Sequence, residues 1–277
     1  MNLVLDIITT AAILFSVASG LLIILGVLKI INFAHGAFLT VGGYAAFVAT
    51  QYQVNPWLAF PLAFATGLAV GALVERFIVR PIYHRPLDAI LATWGLGIIL
   101  SQVITLAFGR EIQFAQPPLS GAVDVFGVMY SQYRLFFLLA AVLVAGAIAI
   151  LLKGTRLGLE ARAVIMNETL ARAVGINAAR VRFVTFIFGA ALASLGGALI
   201  TPLTSVDPNM GVPWLVNAFM LVLVSSISLG SLAIASLVLG GAQVLVSTFV
   251  SPVIGGLTIV ALAAIILRLR PKGFANE

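Results

Sequence analysis

KGTRLGLEARAVIMNETLARAVGINAARVR, residues 153 to 182, is the longest polar interruption in a chain that is otherwise apolar. It carries six of the fifteen basic residues (Lys153, Arg156, Arg162, Arg172, Arg180 and Arg182) and two of the nine acids, Glu160 and Glu168. Long apolar runs flank it on both sides, so it must stand outside the bilayer while its flanks lie within. Ala163, Met166, Leu170 and Ala173 with Val174 recur at steps of three and four, which predicts one apolar face of a helix. Glu168 and Arg172 are four apart in the favourable order on the other face. Asn167 is suited to cap a short helix over 168–174, and Gly175 to stop it. Such a helix either presents its stripe to a protein partner or rests on lipid headgroups, and pattern alone leaves both open.

Composition agrees with the flanks. Hydrophobic residues make up 62% of the 277 and charged ones 9%, against about a quarter charged in a soluble domain. Mean hydropathy is +1.18. This predicts an all-α, polytopic membrane protein with eight or nine transmembrane helices. Residues 1–277 read as one transmembrane domain, with 153–182 as its cytoplasmic loop. There is no cysteine, hence no disulfide framework. The net charge of +6 reflects cytoplasmic loops rather than nucleic-acid binding. No basic residue precedes the first apolar run, so that run is expected to be a retained span rather than a cleaved leader.

The apolar runs are 5–28, 37–52, 57–74, 89–108, 135–152, 183–203, 214–229, 232–250 and 253–267. Gly67 and Gly71 are spaced for close helix contact, and the 183–203 run is rich in small residues. Nine crossings with the N-terminus outside put thirteen basic residues inside and two, Arg110 and Arg134, outside, the asymmetry the positive-inside rule requires. The open point is Lys29 to Gly36. It is either a cytoplasmic turn or a break within one helix lining a cavity; the second option gives eight spans and an internal N-terminus.

The acids all fall at run ends or in loops, which disfavours an ion-coupled carrier. There is no GxxxxGK[ST], so the chain is no ATPase by itself, and no HExxH. Two histidines, His35 and His84, are too few for a His-rich metal site. No nucleophile–base constellation lies in the runs, so no catalytic residue is assigned and an enzyme is not expected. Polar residues within or beside the runs nominate a pathway lining: Asn32 and His35, three apart, and Thr93, Trp94 and Gln102. Trp94 is too deep for an interfacial aromatic belt. Each could equally satisfy backbone groups or pack between helices.

Several strings carry a resemblance. Thr155 to Val164, then Asn167, Ala171 and Gly175-Ile-Asn177, resemble the cytoplasmic loop of ABC importer permeases. Asn32-Phe-Ala-His-Gly36, Arg85 to Gly97, and Arg270-Pro-Lys-Gly-Phe274 are similar to strings of the high-affinity branched-chain amino acid permeases and their urea and short-chain amide relatives. Thr169 and Leu170 depart from the usual Glu and Ala of the loop motif. Val224 to Ala233 has serines where relatives have glycines, and serine reaches positive φ less readily. The resemblance implies a permease subunit that carries branched-chain amino acids, urea or amides inward across a bacterial-type inner membrane. It implies a homologous second permease chain, two ATPase subunits and an extracytoplasmic solute-binding protein, with ATP used by the partners and no cofactor on this chain. It assigns ATPase coupling to Glu160, Ala163, Met166, Glu168, Leu170, Ala171, Arg172, Val174 and Gly175. The Ala-Thr-Trp94-Gly form leans toward the urea-type members. The alternative is a stand-alone channel for small polar solutes.

Overall fold

The computed structural model describes residues 2–83, 85–125, 127–226, 228–271 and 273–274. Helices α1 (Asn2–Leu28), α2 (His35–Gln51), α3 (Ala59–Val74) and α4 (Pro86–Phe108) are followed by a short antiparallel hairpin of β1 (Ala122–Asp124) and β2 (Met129–Ser131). Then come α5 (Gln132–Gly154), two amphipathic helices α6 (Arg156–Met166) and α7 (Glu168–Ala173), and α8 (Ala178–Thr204), α9 (Gly211–Ser225), α10 (Leu229–Phe249) and α11 (Pro252–Leu269). Seven helical segments are long and apolar enough to cross a membrane, and α9 is a shorter apolar helix. With the 17-residue α2, the described residues hold nine helices that match the nine runs one for one.

α8 is the centre, because its small residues let three neighbours approach its backbone. A Cβ on Gly67 of α3 would lie 2.7 Å from Ala191 Cα and Ser194 Cβ. One on Gly42 of α2 would collide with the Ser194 carbonyl. Ser194 Oγ donates to Phe38 O at 2.9 Å, and Tyr133 of α5 donates to Leu199 O at 2.7 Å. Lipid tails are as apolar as leucine, so packing and hydrogen bonds of this kind hold such helices together. The Gly67/Gly71 spacing therefore does what its pattern predicts.

The two ends of the bundle are distinct. Asp6 of α1 pairs with Arg134 at 2.8 Å and accepts from Tyr130 at 3.1 Å, beside the 109–131 loop. At the other end of α1, Ile23 and Val27 meet Leu157 and Ala161 of α6, and Leu229 packs near Ile23. The nine helices alternate between these ends, so the N-terminus lies opposite α6 and α7. The basic residues assigned inside sit at the α6–α7 end, except that Lys272, like His84, lies outside the described residues.

The Lys29–Gly36 break fits neither simple option. Lys29 takes φ 55°, and His35 Nε2 hydrogen-bonds Val17 O at 2.9 Å. Val17 lies eleven residues before Leu28, roughly 16 Å back along the helix. The chain therefore reverses and climbs into the protein before α2 begins. The break is interior, yet the N-terminus stays at the end opposite α6 and α7 and nine helices remain.

One further boundary is corrected. The third span does not stop at Val74; it continues through a π turn, Glu75–Val79, and a 3-10 turn, Arg80–Ile82. Glu75, read as the start of a loop, is fully buried, and Tyr83 donates to its Oε1 at 2.5 Å. The serine-rich turn after α9 forms with Ser226 in the left-handed region (φ 50°, ψ 40°). Phe274 N donates to Val224 O at 2.8 Å beside it. The serine thus holds the conformation a glycine would adopt more cheaply.

Candidate functional site

Residues 29–34 and 205–210 both turn inward, so α2 and α9 begin inside the protein, where Gly36 lies against Gly211. Gly211 N donates to Thr40 Oγ1 at 3.1 Å. Neither helix has a side-chain N-cap. Beside this meeting point lies a cavity of about 310 Å³, within the range of small-solute sites. The first turn of α2 contributes Gly36 and Ala37, the start of α9 contributes Asn209 and Val212, and α4 contributes Trp94, Ser101 and Gln102. No ionisable side chain lines it. The first turns of two helices bring partial positive charge toward the cavity, while its walls are otherwise largely apolar.

The sequence candidates divide. Trp94 and Gln102 line the cavity, and Trp94 is 59% exposed. Asn32, His35 and Thr93 do not; each is buried behind it. Asn32 Oδ1 accepts from Ala34 N at 3.1 Å. Thr93 Oγ1 accepts from Phe33 N at 3.2 Å and donates to Ile90 O at 3.0 Å. Asn32 and Thr93 satisfy backbone N–H groups of the break, since irregular backbone within a membrane must be satisfied by the protein itself, and His35 ties the break to the Val17 carbonyl of α1. Ser101 Oγ donates to Asn209 Oδ1 at 2.8 Å and closes one side of the cavity. Ser101 could have been found from the helical step after Trp94, at i+7. Asn209 carried no linear signal, since only the inward turn of 205–210 brings it there.

The polar segment is more structured than the sequence implies. Thr155 caps α6, accepting from Gly158 N at 3.2 Å. Asn167 caps α7 as expected, accepting from Leu170 N at 3.0 Å. Gly175 has φ 89°, with Ile176 N bonded to Ala171 O and Gly175 N to Arg172 O, both at 3.0 Å; this is a Schellman stop. The apolar stripe is not on one helix. Ala163 and Met166 belong to α6, and Leu170 belongs to α7 with Val174 at its C-cap, because Asn167 breaks the run. Ala163 and Glu160 are half-buried and Ala171 is buried. Met166, Leu170 and Val174 are exposed, by 86%, 62% and 70%.

Glu168 ties this segment to the bundle. It accepts from Arg172 at 2.6 Å and also pairs with Arg182 of α8. The Arg182 guanidinium lies 5.1 Å from the centre of the Tyr83 ring, and Tyr83 reaches Glu75 of the α3 extension. Burial, then the hydrogen bond to Glu75, push the Tyr83 pKa up, so the hydroxyl stays protonated and donating. A continuous polar chain thus runs from α7 to the end of α3.

The model of a family described as branched-chain amino acid transport system, permease component, matches residues 3–268. The high-affinity branched-chain amino acid transport system permease protein LivH of Salmonella typhimurium is 26% identical over 279 residues, covering 94% of this chain and 90% of its own length. LivH of Escherichia coli K12 matches with the same identity and coverage. BraD of Pseudomonas aeruginosa, also named a branched-chain amino acid permease protein, is 28% identical over 284 residues, covering 94% of this chain and 91% of its own.

Proposed function

The chain belongs to the branched-chain amino acid transport permease family, and from that premise we propose that it is the membrane-spanning subunit of an ABC importer that moves a small polar solute inward. The observation that carries this reading is the uncharged cavity where α2 and α9 begin. Two helix N-termini suit the carboxylate of a zwitterionic amino acid, and the apolar walls suit a branched side chain. That favours branched-chain amino acids over urea or short amides, although Trp94 and Gln102 offer a surface to either.

The α4 face that carries Trp94 also exposes Leu91 and Ile98, so a second, homologous permease chain would close the cavity from that side. Met166, Leu170 and Val174 would dock one of two ATPase subunits, which use ATP; this chain binds no cofactor and performs no catalysis. A solute-binding protein would deliver the solute at the outer end, and the membrane is the bacterial inner membrane.

The test is uptake of labelled leucine and labelled urea by cells expressing the chain with ATPase and binding-protein partners encoded beside it. Leucine uptake that stops when the ATPase is inactivated is the expected result. Uptake of neither, with uptake of a sugar instead, would overturn the solute assignment. Solute flux without any ATPase would favour a channel.

A further inference from the structure

A groove of about 700 Å³ lies where α3 meets the start of α8, at the α6–α7 end of the bundle. Arg76 and Arg80 from the α3 extension and Arg180 from the first turn of α8 line it. Leu73, Phe77 and Phe183 form its apolar part. Leu73 and Phe77 are exposed, so the groove opens on the outer surface of the bundle.

The charges in it are unbalanced. Among the described residues, Arg85, Arg134, Arg172 and Arg182 each pair with a carboxylate, whereas Arg76, Arg80 and Arg180 have none within ion-pair distance. Glu75 is next in sequence to Arg76 but is fully buried on the inner side and held by Tyr83. Its carboxylate therefore forms no ion pair with the arginines of the groove. Three cations sharing one groove repel one another unless an anion joins them, and guanidinium forks match phosphate geometry. Leu73 precedes the arginines along α3 and so lies deeper in the membrane. The groove is thus cationic at the cytoplasmic boundary and apolar toward the bilayer interior, which is the polarity of a phospholipid and not of free phosphate.

We propose that this groove is a binding site for the headgroup of an anionic phospholipid of the cytoplasmic leaflet, with the acyl chains lying over Leu73 and Phe77. Basic pockets between helices on this side of a membrane hold such headgroups through charge and hydrogen bonds together. The bound lipid would bridge α3 to α8 at the point where the coupling segment joins the bundle.

The test uses the purified full-length chain in neutral detergent. It is titrated with phosphatidylglycerol or with phosphatidylcholine of the same acyl chains, and bound lipid is counted by native mass spectrometry. Phosphatidylglycerol should be retained about tenfold better. The preference should vanish in an Arg76→Gln, Arg80→Gln, Arg180→Gln chain and survive in an Arg268→Gln, Arg270→Gln chain, which loses charge from the same end. Inorganic phosphate should not displace the lipid. Equal retention of the two lipids by the unaltered chain would overturn the proposal, whatever the stability of the variants. So would a preference that survives the triple substitution. An unchanged lipid preference with loss of ATPase co-purification would identify the groove as a protein contact instead. If the triple variant does not fold, Arg180→Gln alone should lower the preference about threefold, and no change there would count against the site.

Discussion

Arg182, in the second turn of α8, pairs with Glu168, the first residue of α7, and the two side chains are only 14% and 29% exposed. Glu168 also holds Arg172, but that guanidinium is 54% exposed. Water screens the second pair far more than the first. Glu168→Gln leaves a largely buried guanidinium without its counter-charge and should cost about 1–3 kcal/mol. Arg172→Gln should cost less than about 0.5 kcal/mol. Thermal unfolding of the solubilised chain measures both, and equal shifts would show that the α7–α8 pair carries no special weight.

Leu170 and Ala171 are neighbours with opposite surroundings: the first is exposed and the second is buried against the bundle. Leu170→Asp should leave the chain inserted and stable. It should reduce ATPase co-purification at least about tenfold, because the new charge would be buried at the contact unpaired. Ala171→Asp should lower the amount of folded chain itself. Normal co-purification and uptake with Leu170→Asp would remove α7 from the coupling role.

His35 and Trp94 separate structure from transport. His35→Ala removes a buried side chain and its bond to the Val17 carbonyl, and should destabilise by about 2–4 kcal/mol, with solute preference unchanged in whatever folds. Trp94→Ala removes an exposed cavity wall and should alter uptake at constant abundance. Measuring abundance and the leucine-to-urea uptake ratio for both variants decides the matter. A changed ratio in His35→Ala would return His35 to the pathway.

Gly67 and Gly95 test the packing of the central helix. A methyl group at 67 would lie 2.7 Å from the α8 backbone, while one at 95 would meet nothing within 4 Å. Gly67→Ala should separate α3 from α8 and cost about 1–3 kcal/mol. Gly95→Ala should be neutral or stabilise by up to about 1 kcal/mol. Detergent thermal melts in which both behave alike would contradict the close α3–α8 contact.

The chain has no cysteine, so single cysteines report orientation without background. Asn2→Cys should react with an impermeant maleimide from the outer face, and Arg162→Cys only from the cytoplasm. Labelling of Asn2→Cys from the cytoplasm alone would reverse the N-terminus.

The sequence alone determined the class, the nine apolar runs, the gathering of basic residues in one set of connections, and the ends of α7. All of these follow from short-range signals: hydropathy, capping residues and loop charge. Hydropathy failed at Glu75, because a carboxylate ends an apolar run by composition, yet Tyr83 supplies the partner that lets the helix continue past it. Periodicity joined Met166 to Leu170 across Asn167, because spacing does not register a cap in mid-run. Asn32, His35 and Thr93 were recognisable as unusual polar residues, but only the fold shows that they face backbone rather than the cavity. The cavity itself is a tertiary product. It exists because residues 29–34 and 205–210, far apart in the chain, both fold inward and set the first turns of α2 and α9 against each other. Whether a break turns outward as a loop or inward as a wall depends on what the rest of the protein offers its unpaired backbone groups, and here Thr93 of α4 provides for the first break, and Gln113 together with Thr40 of α2 for the second.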